Sequence, residues 1–120
     1  MQLLDSNILI YSAQEEFANL RALFRAETIR VSAISKVEVL GFRGLTTIDK
    51  LYFEALFRQL TAFPIDNAIL DKATELRQQH RLSLGDAIIA ATALLYNCTL
   101  YTRNIGDFSK IKGLIVVNPM

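Results

Sequence analysis

The stretch Leu3-Leu4-Asp5-Ser6-Asn7-Ile8-Leu9-Ile10-Tyr11 decides the fold class. Two leucines followed by an acid and two small polar residues read as a short buried strand ending in capping residues, and Ile8 to Tyr11 then open a helix. Strands that hand over to helices are the repeating unit of α/β proteins. Working outward, Thr28 to Val31 alternates Ile and Val with Thr and Arg, as a second strand does. Ser32 to Ser35 form its junction, and Val37 and Leu40 sit on a short helix stopped by Gly41. Thr99 to Thr102 and Leu114 to Val117 read as two further strands.

Between these strands the apolar spacing is helical. Phe17, Leu20 and Phe24 fall at i, i+3 and i+7 and predict a helix over residues 14–26, and Phe53, Leu56, Phe57 and Leu60 predict another over 47–61. Phe63-Pro64-Ile65 is read as a brief extended segment, because proline cannot serve a central ladder. Asp66 caps the next helix, whose Ile69, Ala73 and Leu76 face inward. Residues 84–97 are apolar all round after the first turn, as expected of a helix buried on most sides. The expected fold is therefore a three-layer α/β/α domain with a mainly parallel central sheet, one domain spanning residues 1–120.

Composition narrows the function classes. Thirteen Lys and Arg balance twelve Asp and Glu to a net charge of +1, so nucleic-acid contact would depend on local placement of basic residues, not on a bulk field. Cys98 is the only cysteine, which excludes an intrachain disulfide and cysteine-based zinc sites. The absence of a signal-like start, and of an apolar run near the roughly 20 residues that span a bilayer, make the cytoplasm the expected compartment. His80 is the only histidine and reads as a solvated helix-end residue, so a pair of histidines for general acid and base is excluded.

Four acids, Asp5, Glu38, Asp86 and Asp107, stand at the junctions. Each has a local explanation. Asp5 follows a strand and fits a helix cap. Ser35-Lys36-Val37-Glu38 and Ser83-Leu84-Gly85-Asp86 both fit the capping-box pattern, and Gly106-Asp107 is a common turn pair. Together they suggest more. In an open parallel sheet ligands bind beyond the carboxyl ends of the strands, and carboxylates gathered there call for a hard divalent cation. A phosphatase reading fails on Asp5-Ser6-Asn7, which lacks the second acid of an Asp-x-Asp motif, and no Gly-x-Gly-x-x-Gly supports a dinucleotide site.

These residues resemble the PIN-domain nucleases, and within them the VapC-type toxins of toxin–antitoxin pairs. The likeness runs through LLDSNILIY (3–11), AISKVEVLGF (33–42), LSLGDAIIAATALL (82–95), LYTRNIGDF (100–108) and GLIVVNP (113–119). It implies that Asp5, Glu38, Asp86 and Asp107 bind Mg²⁺ or Mn²⁺, with Ser6 and Asn104 as supporting polar groups. Some relatives carry an acid near the position of Asn104. The implied activity is endoribonuclease cleavage of a structured RNA such as tRNA or rRNA, with Arg103, Lys36, Arg43 and Arg81 as candidate phosphate contacts. A homodimer and a cognate antitoxin are implied as well, and the aromatic faces of Phe17, Leu20, Phe24, Phe53 and Leu56 are the expected groove for the antitoxin. The alternatives are a PIN-domain RNA-processing nuclease that is no toxin, and a non-catalytic binding module.

Overall fold

The structure, a computed structural model, describes all 120 residues. Five short strands, β1 (Gln2–Leu4), β2 (Ile29–Ser32), β3 (Thr61–Phe63), β4 (Thr99–Tyr101) and β5 (Val116–Val117), form one sheet in the order β3-β2-β1-β4-β5. Every pairing is parallel, with Leu4 opposite Val31 on one side and Tyr101 on the other. The helices are α1 (Ser6–Ser12), α2 (Ala33–Leu40), α3 (Thr47–Gln59), α4 (Asn67–Gln79), α5 (Leu84–Leu95) and α6 (Ile105–Phe108), with a 3₁₀ run over Glu15–Arg25. The expected α/β/α architecture is the one observed.

Successive residues of a strand point to opposite faces, and Leu3 and Leu4 display this directly. Both are fully buried, yet they belong to different cores. Leu3 packs with Leu100, Phe108 and the apolar faces of α4 and α5; Leu4 packs with Val31, Ile8 and Leu9 of α1, Leu20, Phe24, Val39 of α2 and Phe53 of α3. The two leucines of the opening stretch thus hold helices on both sides of the sheet. No helix is long and apolar enough to cross a membrane.

Three local expectations are corrected. The 14–26 segment is not an α-helix but a 3₁₀ run kinked at Phe17 (φ −112°, ψ 21°), since i, i+3 apolar spacing serves the tighter turn as well. The extended segment near Pro64 is a true edge strand that begins earlier, at Thr61, and leaves the proline just outside the ladder. Ser35 does not start α2. Ser32, held extended at the end of β2, caps it by accepting from the Ile34 N–H at 3.2 Å, so the Ser35–Glu38 capping box does not form.

Candidate functional site

Asp5 is the first residue beyond β1, and its N–H donates to the Tyr101 carbonyl at 2.9 Å. It occupies the cap position of α1 without capping it. Its carboxylate is engaged elsewhere: Thr102 Oγ1 donates to Asp5 Oδ2 at 2.7 Å, while the same hydroxyl oxygen accepts from the Asn104 N–H at 3.0 Å. Thr102 is fully buried and Asp5 is only 4% exposed. Burial is the main force that pushes the Asp5 carboxyl up to about 6; the charges of Asp86 and Glu38 add to it, and the bonds from Thr102 and the Ser6 N–H oppose it.

Glu38 projects from α2 and is bound to α1. Ser6 Oγ donates to Glu38 Oε1 at 2.7 Å and lies 2.8 Å from the buried Ser35 Oγ. Asp86 lies in the first turn of α5, where its N–H donates to Ser83 Oγ at 3.1 Å, so this second cap forms at least in its serine half. Burial raises the Asp86 carboxyl above the usual range, the Ser83 hydroxyl lowers it, and the charges of Glu38 and Asp107 raise it further. Asp107 is exposed on the one-turn helix α6, anchored by the fully buried Phe108. The fold therefore brings all four sequence-predicted acids into one electrostatic neighbourhood, in which Asp86 feels the charges of both Glu38 and Asp107.

No base neutralises them. The ion pairs of the chain are Arg21–Glu15 at 3.9 Å and Lys72–Glu75 at 3.5 Å, neither involving these acids. As the side chains stand, no three Asp, Glu, His or Cys groups converge tightly enough to hold a metal ion. The donor chemistry nevertheless fits a hard cation: oxygen ligands only, mutually repelling, and without a positive partner. One buried side-chain acceptor in the chain also lacks a partner, Asn7 Oδ1, two residues after Asp5.

The basic candidates are more scattered. Arg103 lies over the Tyr11 ring, 4.8 Å from its centroid, and Phe17 meets the same ring edge-on at 5.2 Å. Lys36 lines a shallow cleft with Leu40, Glu54, Phe57 and Arg58, while Arg43 and Arg81 are exposed in loops. Asn104 is exposed and sits at the start of α6 with its backbone, not its side chain, engaged. The sequence alone assigns to the site neither Thr102, which orients Asp5, nor Ser35, which backs Ser6 and reads there only as a cap. A polar residue closing a buried strand was the available signal for Thr102.

The expected aromatic groove is also corrected. Leu20, Phe24, Phe53 and Leu56 are core, and Phe17 is packed against it. Among the apolar side chains left exposed are Val37 on α2, Phe42 after it, and Ile48 and Leu51 on α3, all more than 60% exposed. Of these, Phe42 lines a cavity of about 210 Å³ together with Ile10, Ala13, Val39, Leu45 and Phe53.

The parallel α/β/α domain gathers its acids beyond the carboxyl ends of the strands, where open sheets of this kind bind ligands. The family model of the PIN domain matches residues 3–114, and the chain belongs to that family. Among solved structures, a toxin–antitoxin complex from Klebsiella pneumoniae is similar at 30% identity and TM-score 0.82, covering 100% of this chain and 98% of that one. VapBC2 from Rickettsia felis, bound to a DNA fragment from its promoter, is similar at 24% identity and TM-score 0.80, covering 98% and 97%. DNA-bound VapBC from Salmonella typhimurium shares the fold at 18% identity and TM-score 0.84, covering 97% and 96%. Comparison with curated protein sequences gives no match.

Proposed function

We propose that this chain is a VapC-type toxin, a divalent-metal-dependent endoribonuclease held in check by a cognate antitoxin. The observation that carries the reading is the buried Asp5 carboxylate, set among Asp86 and Glu38 with no cation to neutralise them. Membership of the PIN family and the likeness to a toxin–antitoxin complex support it. Asp5, Glu38 and Asp86 would hold Mg²⁺ or Mn²⁺, with Asp107 and Asn104 at the open side. The bound ion supplies a water of lowered pKa and stabilises charge on the phosphate. Thr102 and Ser6 keep Asp5 and Glu38 oriented, since a carboxylate held by a hydrogen bond has fewer ways to turn away from a ligand. Arg103, which lies over the Tyr11 ring, would serve as a phosphate contact. RNA as substrate, a homodimer and a cytoplasmic location belong to the same proposal.

Total RNA incubated with the protein, with and without Mn²⁺, tests it. Cleavage that needs the metal, leaves 5′-phosphate ends and is lost in Asp86→Asn is the expected result. Metal-independent or mutation-insensitive cleavage contradicts it.

The antitoxin contact belongs on the exposed apolar side chains of α2, the turn after it and α3 (Val37, Phe42, Ile48 and Leu51), not on the buried aromatics. Ile48→Asp is expected to change stability by no more than about 0.5 kcal/mol, as exposed substitutions usually do. Its affinity for the antitoxin should fall at least about tenfold, the effect of truncating a well-packed interface residue. Unchanged affinity in a pull-down titration places the contact elsewhere.

A further inference from the structure

A glycine in the first turn of a helix is unfavourable on local grounds, because it gives up more backbone freedom than any other residue. Gly85 is such a residue, second in α5 between Leu84 and Asp86. What stands beside it explains the choice. A Cβ built on Gly85 would collide with Glu38 Oε2, would lie 2.9 Å from Glu38 Cδ and 3.3 Å from Oε1, and would meet no other group as closely. The Glu38 carboxylate thus fills the space that any side chain at position 85 would occupy. It rests against the first turn of α5, where the partial positive charge of the helix N-terminus favours an anion, and Ser6 holds it from the other side.

We propose that Gly85 is a positioning residue for the acidic site: by having no side chain, it lets the Glu38 carboxylate sit against the first turn of α5, one residue from Asp86. This deepens the metal-dependent reading and rests on it. The clash falls on the end of a flexible side chain, so a larger residue at 85 moves Glu38 and leaves the backbone in place. Position 85 therefore sets the separation of two acids without carrying any chemistry itself. In the sequence, a glycine directly before Asp86 reads only as part of a capping pattern, because its neighbour across space, Glu38, is 47 positions away.

Gly85→Ala separates this role from a structural one. The metal-free variant should melt at or above the wild-type temperature, since alanine is the better helix former. Its Mn²⁺ affinity, measured by titration, should fall about 10- to 100-fold, the range found when residues that orient metal ligands are changed. Its crystal structure should show Glu38 turned away from Ser6. In a Glu38→Ala background the same alanine has nothing to displace, and its effect on Mn²⁺ affinity should vanish. A Gly85→Ala protein that keeps both wild-type Mn²⁺ affinity and the Ser6–Glu38 bond overturns the proposal. So does a Gly85→Ala variant that fails to fold and is not restored by adding Glu38→Ala, because Gly85 then serves the fold itself. If wild type binds no Mn²⁺, the metal reading falls, and the place of Glu38 in the Gly85→Ala crystal structure still decides whether position 85 controls it.

Discussion

Asp5→Asn is expected to make the metal-free protein more stable while abolishing the proposed cleavage of RNA. The carboxyl is nearly inaccessible to solvent, and its pKa is pushed from 3.8 to about 6, chiefly by burial. An acid whose pKa is higher in the folded than in the unfolded chain favours folding when protonated. Its cost appears as pH rises from about 4 through 6 and is complete above that. A difference of about two pKa units corresponds to roughly 3 kcal/mol. Asparagine removes the charge, keeps an oxygen to accept from Thr102, and should recover about 1 to 3 kcal/mol of this at pH 8. Urea unfolding at pH 5 and pH 8 measures it: wild type should lose more stability than the variant between the two. Cleavage should fall at least about 100-fold, because groups that act as one set are grossly non-additive and the loss of one disables the rest. A variant both destabilised and inactive would mark Asp5 as a structural residue.

Phe108→Ala is expected to give the largest loss of stability at a residue beside the site. Phe108 is fully buried in the core that contains Leu3, Leu100 and α5. Phenylalanine-to-alanine changes in such positions cost about 3 to 5 kcal/mol, a large share of the 5 to 15 kcal/mol that holds a typical domain together. The consequence reaches Asp107 through α6. A helix of four residues has no stability of its own, so Ile105–Phe108 stays in place because Phe108 is anchored and Asp107 N–H bonds back to the Asn104 carbonyl at 3.2 Å. Loss of the anchor should therefore lower the urea midpoint with little change in slope. It should also reduce cleavage under conditions where the variant remains folded. A stability loss of less than about 1 kcal/mol would mean that the site collapses around the cavity at little cost.

The layout of the domain was readable in the sequence because strand–helix junctions and apolar periodicity are local properties. Asp5, Glu38, Asp86 and Asp107 could be grouped because a parallel sheet sends its carboxyl-end junctions to one edge. Sequence does not separate Ser32 from Ser35 as the cap of α2, because both precede helical residues with the right polarity. The pairing of Ser32 with Phe63 across the sheet is what holds Ser32 extended and makes it the cap. For Phe53 and Leu56, helical spacing identifies an apolar face but not what covers it. Here α1, β2 and the 3₁₀ run cover it, and Val37 and Ile48 are left outside. Thr102 and Gly85 act through partners 97 and 47 positions away, separations at which no local pattern carries information.

If these carboxylates are gathered for a cation, thermal or urea unfolding with added Mn²⁺ must register its binding. At pH 8, where Asp5 is ionised, wild type at about 100 times its Kd for Mn²⁺ should gain roughly 2.7 kcal/mol by linkage. Asp5→Asn should gain little or nothing. A wild-type protein whose stability does not change with Mn²⁺ or Mg²⁺, or an Asp5→Asn protein that gains as much as wild type, contradicts the account.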